Sequence, residues 1–240
     1  MNILSIGNSF SCDAQRYLHS IAKADGYPLN TFNLYIGGCP LSLHYKNMLS
    51  KQKAYTLEMN GESTGFKVSL EEALLNRDWD VVTLQQASFK SISYDTFEPY
   101  IGKIADYVRL YVPEAKIAIH QTWAYEEGSE RLCERMGYST HNDMFADVEQ
   151  SYKKAAEDVG ADFVIPSGKG FQTLTEQGVK NIHRDTSHAS YGIGRYALGL
   201  IWYGKLTGND VLNNSFSDFD EEIADDMILN IKNIVANLCK

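Results

Sequence analysis

The chain has 240 residues, enough for one large domain with a substantial hydrophobic core. Its net charge of −9 and its pI of about 5.1 argue against binding to a nucleic-acid backbone or to an anionic membrane surface. The four cysteines are widely spaced, which is typical of a reducing compartment and excludes a Cys-x-x-Cys zinc pair.

Short apolar runs alternate with longer segments of helical periodicity along the chain. Asn60-Gly61 lies between two runs of alternating polarity, which predicts an antiparallel β-hairpin at this point. In chain order, the predicted elements are strand 2–6, helix 13–25, strand 29–36, helix 41–51, hairpin 54–69, helix 70–76, strand 81–85, helix 94–111, strand 116–120, helix 142–159, strand 162–165 and helices 191–206 and 221–238.

Strands that alternate with helices of ten or more residues predict a parallel sheet with helices on both faces. We therefore predict one α/β domain over residues 1–240: a three-layer α/β/α sandwich with a central five-stranded parallel sheet of the flavodoxin-like type, plus the small inserted hairpin. In such a sheet, the functional groups gather at the carboxyl ends of the strands.

A serine and an Asp-x-x-His pair carry the clearest chemistry. Ser9 follows the first predicted strand and a glycine, and Asp185 and His188 stand three residues apart before the penultimate helix. A hydroxyl, an imidazole and a carboxylate are the parts of an activated serine nucleophile. We predict that Ser9, His188 and Asp185 form a catalytic triad.

Residues 7–11, Gly-Asn-Ser-Phe-Ser, resemble the first block of the SGNH hydrolases, also called GDSL-type esterases. Asp185-x-x-His188 resembles their last block, and the resemblance extends in the same order over most of the chain. Segments such as Gly-Gly-Cys-Pro-Leu-Ser-Leu-His are similar to a poorly characterised bacterial subgroup of this superfamily. The resemblance implies a serine esterase that acts on short acyl esters, above all acetyl esters, for which acetylated sugars are candidate substrates.

The same resemblance implies an oxyanion hole. The backbone N–H groups of Ser9 and Gly38 are expected to contribute, because Gly38 stands where the family places its glycine. The third block departs from the family pattern, since Gln-Gln-Ala-Ser at residues 85–88 replaces Gly-x-Asn-Asp. A glutamine amide offers the same donor as asparagine on a longer arm, so either Gln85 or Gln86 is expected to supply the third hydrogen bond.

Three further residues near the strand ends, His44, His120 and Trp123, are expected to line the substrate pocket, where a sugar ring could stack on Trp123. We expect no metal and no cofactor, because no His-x-x-x-His pair or comparable pattern occurs. The expected partner is a small acyl ester, with neither nucleic acid nor membrane involved and the oligomeric state left open. We expect a cytoplasmic protein, or a secreted one if a signal peptide preceded this sequence.

Two other functions stay open at this point. The same fold could bind a phosphate or a flavin at the first loop, where Ser9 and Ser11 begin a helix, although Asp185 and His188 would then have no role. The altered third block also allows a domain that binds carbohydrate without turnover. Covalent labelling by a fluorophosphonate separates these functions from an esterase, because labelling requires an activated serine.

Overall fold

The structure, a computed structural model, describes residues 1–238. Its strands form one mixed sheet in the order β4-β3-β2-β1-β5-β6-β7. The five strands from β2 to β7 in this order are parallel, as predicted, whereas β3 and β4 are antiparallel. The strand bounds are β1 (Asn2–Gly7), β2 (Asn30–Tyr35), β3 (Tyr55–Met59), β4 (Glu62–Val68), β5 (Val81–Leu84), β6 (Lys116–His120) and β7 (Phe163–Ile165).

The predicted hairpin is β3–β4, and it extends the central sheet rather than standing apart from it. Asn60 and Gly61 form its turn with φ angles of 51° and 83°. Two consecutive positive φ angles match the type I′ turn, whose twist suits a two-residue hairpin. The predicted five-stranded parallel sheet is confirmed, and the hairpin extends it to seven strands.

Helices cover both faces of this sheet. The first, second, seventh, eighth and ninth helices pack on one face, and the third to sixth pack in sequence on the other. Their bounds are α1 (Ser9–Gln15), α2 (Leu18–Ala24), α3 (Leu41–Ser50), α4 (Leu70–Leu75), α5 (Tyr100–Tyr111), α6 (His141–Val159), α7 (Ser167–Glu176), α8 (Ile193–Thr207) and α9 (Asp225–Leu238). None of the helices in residues 1–238 combines the length and the apolar character needed to cross a bilayer.

Two predicted helices have other bounds in the structure, and one helix was not predicted. The predicted helix 13–25 is two helices, α1 and α2, and the first begins earlier, at Ser9. The predicted helix 94–111 begins at Tyr100, because Pro99 precedes it and only a short 3₁₀ turn, Tyr94–Thr96, lies upstream. The sequence analysis missed α7 altogether, since two glycines in its first turns lower its helix propensity.

The glycines of α7 have a packing role. A Cβ atom on Gly168 would lie 2.2 Å from the carbonyl oxygen of Thr122, and one on Gly170 would lie 2.3 Å from Ile201. These contacts require a close approach of α7 to the loop after β6 and to α8. The loops after β1, β2, β5 and β6 meet at the carboxyl edge of the parallel strands, where the candidate site lies.

Candidate active site

Ser9 is the first residue of α1, directly after β1. Asn8 caps this helix: its side-chain oxygen accepts a hydrogen bond from the backbone N–H of Phe10 at 3.0 Å. The hydroxyl of Ser11 accepts from the backbone N–H of Asn8 at 3.0 Å and completes the capping box. Gly7 is required here, because a Cβ atom at that position would lie 2.0 Å from the Ser11 hydroxyl.

The structure brings Ser9, His188 and Asp185 together. Ser9 Oγ lies 2.8 Å from His188 Nε2, and His188 Nδ1 lies 2.8 Å from Asp185 Oδ2. The backbone N–H of His188 also donates to Asp185 Oδ1 at 2.8 Å. Residues 179 positions apart in sequence thus form one hydrogen-bonded row with the connectivity of a serine-hydrolase triad.

The ionisation of Asp185 fixes the tautomer of His188. Partial burial raises the pKa of Asp185, but the hydrogen bonds from the backbone and the ring of His188 outweigh it and hold this pKa well below its ordinary value. An ionised carboxylate only accepts hydrogen bonds, so His188 Nδ1 carries the proton. His188 Nε2 is then an acceptor for the hydroxyl proton of Ser9.

The loop that carries Asp185 and His188 is held in place by hydrogen bonds from the loop after β6. The indole N–H of Trp123 donates to the carbonyl oxygen of Ser187 at 2.8 Å, and the backbone N–H of Glu126 donates to that of Thr186 at 2.8 Å. Trp123 is fully buried, stacked between Phe10 at 4.2 Å and Phe171 at 4.7 Å between ring centroids.

The predicted pocket role of Trp123 is therefore wrong: both ring faces are covered, and its role is to support the triad loop. The same correction applies to His44 and His120, which are completely buried. His44 stacks on Tyr55, and His120 Nδ1 donates to Gln85 Oε1 at 2.7 Å. None of the three lines the pocket beside Ser9.

The two glutamines of the third block also point away from the pocket. Gln85 donates its amide to Asn8 Oδ1 at 2.8 Å, and Gln86 donates to the carbonyl oxygen of Thr96 at 2.8 Å. Both side chains are buried and neither lines the pocket. The prediction that one of them donates to the oxyanion is therefore corrected: Gln85 holds Asn8, and Gln86 holds the loop after β5.

Backbone donors remain at the predicted positions. Within residues 1–238, neither the N–H of Ser9 nor that of Gly38 has a protein acceptor, and both residues line the pocket. Gly38 has a φ angle of 60°, in the left-handed region that favours glycine. The side-chain amide of Asn8 donates to the carbonyl oxygen of Cys39 at 3.2 Å and so joins this turn to the turn that carries Ser9.

A pocket of about 490 Å³ opens beside Ser9 and His188. Its walls come from the loops after β1, β2, β5 and β6 and from one π-helical turn, Arg131–Arg135. The sequence analysis did not predict the part of the wall formed by the π turn, because its residues show neither a helical nor a strand pattern of apolar positions. The lining residues are Asn8, Ser9, Phe10, Tyr35, Gly37, Gly38, Ala87, Ser88, Phe89, Tyr125, Arg131, Arg135, Met136, Ser187 and His188.

Comparison with solved structures identifies the class of fold. A provisionally assigned SGNH hydrolase from Slackia heliotrinireducens is 20% identical, with a TM-score of 0.62 over 86% of this chain and 98% of its own. A provisionally assigned GDSL-like lipase from Parabacteroides merdae is 14% identical, with a TM-score of 0.56 over 86% and 95%. The fold is that of the SGNH hydrolases, as the sequence predicted.

Within this class, the chain belongs to the DUF4886 family, described as a domain of unknown function, whose model matches residues 2–236. The crystal structure of a DUF4886 family protein from Bacteroides uniformis is 32% identical to it. That structure superposes with a TM-score of 0.92 and covers 99% of this chain and 93% of its own. No functionally curated protein matches the chain.

Proposed function

We propose that this protein is a serine esterase that hydrolyses short acyl esters, with acetyl esters as the first class to test. The observation that carries the proposal is the unbroken row from Ser9 Oγ through the His188 ring to the Asp185 carboxylate, with both side-chain distances at 2.8 Å. This row lies at the edge of a pocket large enough for a small ester. Acetylated carbohydrates remain candidates, although no stacking on Trp123 supports them.

In the proposed reaction, Ser9 Oγ attacks the ester carbonyl carbon as its proton passes to His188 Nε2. Asp185 stabilises the imidazolium that forms. The carbonyl oxygen becomes an oxyanion that accepts from the N–H groups of Ser9 and Gly38, at the positive end of α1. The C–O bond to the alcohol then breaks, and the alcohol leaves with the proton from His188.

The second half of the reaction uses water. His188 Nε2 takes a proton from a water molecule, whose oxygen attacks the acyl carbon bound to Ser9. The bond from this carbon to Ser9 Oγ breaks, and the proton returns from His188 to Ser9. The products are one alcohol and one carboxylic acid, and no redox partner or metal takes part.

The test measures hydrolysis of 4-nitrophenyl acetate and labelling by a fluorophosphonate. We expect Ser9→Ala to lose labelling and to lower kcat by about 10³-fold or more. Ser217→Ala, at an exposed serine outside the pocket, is the matched control and should behave like the wild type. A wild-type protein that neither labels nor turns over ester would favour a domain that only binds its ligand.

A further inference from the structure

The pocket beside the triad carries positive charge in an acidic protein. The chain has a net charge of −9, yet the side chains of permanent charge among the pocket-lining residues of the described chain are Arg131 and Arg135. No aspartate or glutamate belongs to this lining. A guanidinium that faces a substrate pocket is a binding group for an anionic part of the substrate.

One π-helical turn presents both arginines. The backbone N–H of Met136 donates to the carbonyl oxygen of Arg131 at 3.1 Å, which closes the wide turn. This spacing brings Arg131, Arg135 and Met136 to the same side, and all three line the pocket. Single π turns occur frequently at functional sites, because they reorient side chains that a regular helix would direct elsewhere.

The two arginines differ in their partners. Arg135 pairs with Glu130 at 2.8 Å, and both side chains are 63% exposed, so solvent and the carboxylate compensate its charge. Arg131 takes part in no ion pair within residues 1–238. It is half-buried, and its guanidinium lies 5.5 Å from the ring centroid of Tyr125.

Arg131 is also held next to the triad. One of its N–H groups donates to Ser187 Oγ, and this hydroxyl lies 3.1 Å from Asp185 Oδ1, to which it donates. A guanidinium has five N–H donors, so others remain for a ligand. The guanidinium, which has no direct ion-pair partner, is therefore fixed in the same pocket as Ser9 and His188.

We propose that the substrate is an ester that carries a carboxylate, and that Arg131 binds this carboxylate. The proposal rests on the proposed esterase function and names its substrate class. A guanidinium without a direct ion-pair partner can bind one further negative charge, and its planar N–H groups match the two oxygens of a carboxylate. The negative charge of the rest of the protein would otherwise disfavour such a substrate.

The test compares pairs of esters of similar size, in which one member carries a carboxylate and the other is neutral. For a carboxylate on the alcohol side, the pair is 4-acetoxybenzoate and its methyl ester. For a carboxylate on the acyl side, the pair is mono(4-nitrophenyl) glutarate and 4-nitrophenyl pentanoate. We expect the wild type to prefer the anionic member of at least one pair by about tenfold in kcat/KM, mainly through a lower KM.

Three variants identify the residue responsible. Arg131→Met should abolish the preference, and Arg131→Lys should keep part of it, because the charge remains without the planar fork. Lys103→Met removes one positive charge from an exposed position on α5 outside the pocket and should keep the wild-type preference. Any damage to the triad through Ser187 lowers the hydrolysis of both esters alike and cancels in the ratio.

The proposal fails if the wild type shows no preference in either pair, or if Arg131→Met leaves the preference unchanged. Calorimetry separates this failure from failure of the esterase function. With Ser9→Ala protein, 4-acetoxybenzoate and mono(4-nitrophenyl) glutarate should each be compared with the neutral partner. Tighter binding of a carboxylate ester that disappears when Arg131→Met is added supports the site even if no ester is hydrolysed, and equal binding in both pairs overturns it.

Discussion

Two histidines stand at the same edge of the sheet, and their surroundings are opposite. His188 lies on a loop, with its ring between Ser9 and Asp185 and in contact with the pocket. His120 ends β6, is completely buried, and donates to Gln85, which in turn donates to Asn8. Burial lowers the pKa of His120 to about 3, so this ring stays neutral.

The two histidines belong to two different layers of polar groups, which we call the upper and the lower layer. The hydrogen-bonded row of Ser9, His188 and Asp185 lies at the pocket, whereas the buried chain of Asn8, Gln85 and His120 lies beneath it and fixes the turn that carries Ser9. In both layers a histidine donates from Nδ1 to a side-chain oxygen. Only the upper histidine has a hydroxyl at its Nε2, because His120 Nε2 has no partner within residues 1–238.

The largest effect should come from the upper layer. Asp185→Asn removes the acceptor that holds the His188 tautomer, and we expect kcat for 4-nitrophenyl acetate to fall by about 10⁴-fold. The unfolding free energy should fall by about 1 kcal/mol or less, because the Asp185 side chain is 50% exposed and solvent screens its hydrogen bonds. Asp218→Asn, at an exposed site outside the pocket, is the control. Undiminished kcat in Asp185→Asn would remove Asp185 from the proposed mechanism.

A second prediction tests whether Gly38 belongs to the upper layer. Gly38→Ala should lower kcat by about 100-fold, because a residue that disfavours the left-handed conformation displaces an oxyanion donor. Gly208→Ala is a matched control: both glycines have positive φ angles, and a Cβ atom on either meets no atom within 4 Å. Both variants should lose about 1 kcal/mol of unfolding free energy. Equal kcat in the two variants would exclude Gly38 from the oxyanion hole.

A third prediction concerns the lower layer. Gln85→Leu leaves the buried Nδ1–H of His120 without its acceptor and removes one of two donors to Asn8 Oδ1. The unfolding free energy measured in urea should fall by about 2 kcal/mol. Gln172→Leu, which removes the hydrogen bond to the exposed Asn142 and the one accepted from the Lys169 ammonium, should cost less than about 0.5 kcal/mol, because water can replace both.

The activity of the same variant decides between two roles. If Gln85 only positions Asn8, Gln85→Leu should lower kcat far less than Asp185→Asn does. A fall in kcat of about 10³-fold at unchanged stability would show instead that Gln85 donates to the oxyanion.

The parallel sheet and the three residues that the structure joins in one hydrogen-bonded row could be predicted because they leave local signals in the sequence. Ser9 follows an apolar strand, and Asp185 and His188 precede a helical pattern. Which side of a strand end a side chain faces leaves no such signal. The positions of Gln85, His120 and Trp123 depend on contacts with residues 35 or more positions away.

The dependence on distant contacts also explains why α7 and the π turn of the pocket wall were not predicted. The packing that makes α7 possible involves Thr122 and Ile201, so glycine propensity alone was misleading. The π turn at Arg131–Arg135 follows a loop that is joined to the segment of Asp185 and His188 by the hydrogen bond from the Glu126 N–H to the Thr186 carbonyl oxygen. Tertiary contacts, which no local pattern encodes, therefore determine which residues line the pocket.

The smallest predicted effect is the pH dependence of stability that the buried histidines cause. Burial lowers the pKa of His44 to about 3, so the unfolded chain binds a proton below about pH 6.5 that the folded protein does not. The unfolding free energy should therefore fall with decreasing pH, by about 1 kcal/mol for this histidine between pH 6.5 and 5.5. His120 shifts in the same direction and adds to the slope.

His44→Phe isolates the contribution of one ring. Phenylalanine can still stack on Tyr55 and cannot take up a proton, but it removes the 3.1 Å hydrogen bond between His44 Nδ1 and the Tyr55 hydroxyl. Near pH 8 neither protein is protonated at this site, so any difference in stability there is the cost of repacking. Towards pH 5.5 the variant should lose about 1 kcal/mol less than the wild type, measured by urea unfolding. Parallel pH profiles would mean that His44 is protonated in the folded protein, and burial alone would then not keep a buried histidine of this protein neutral.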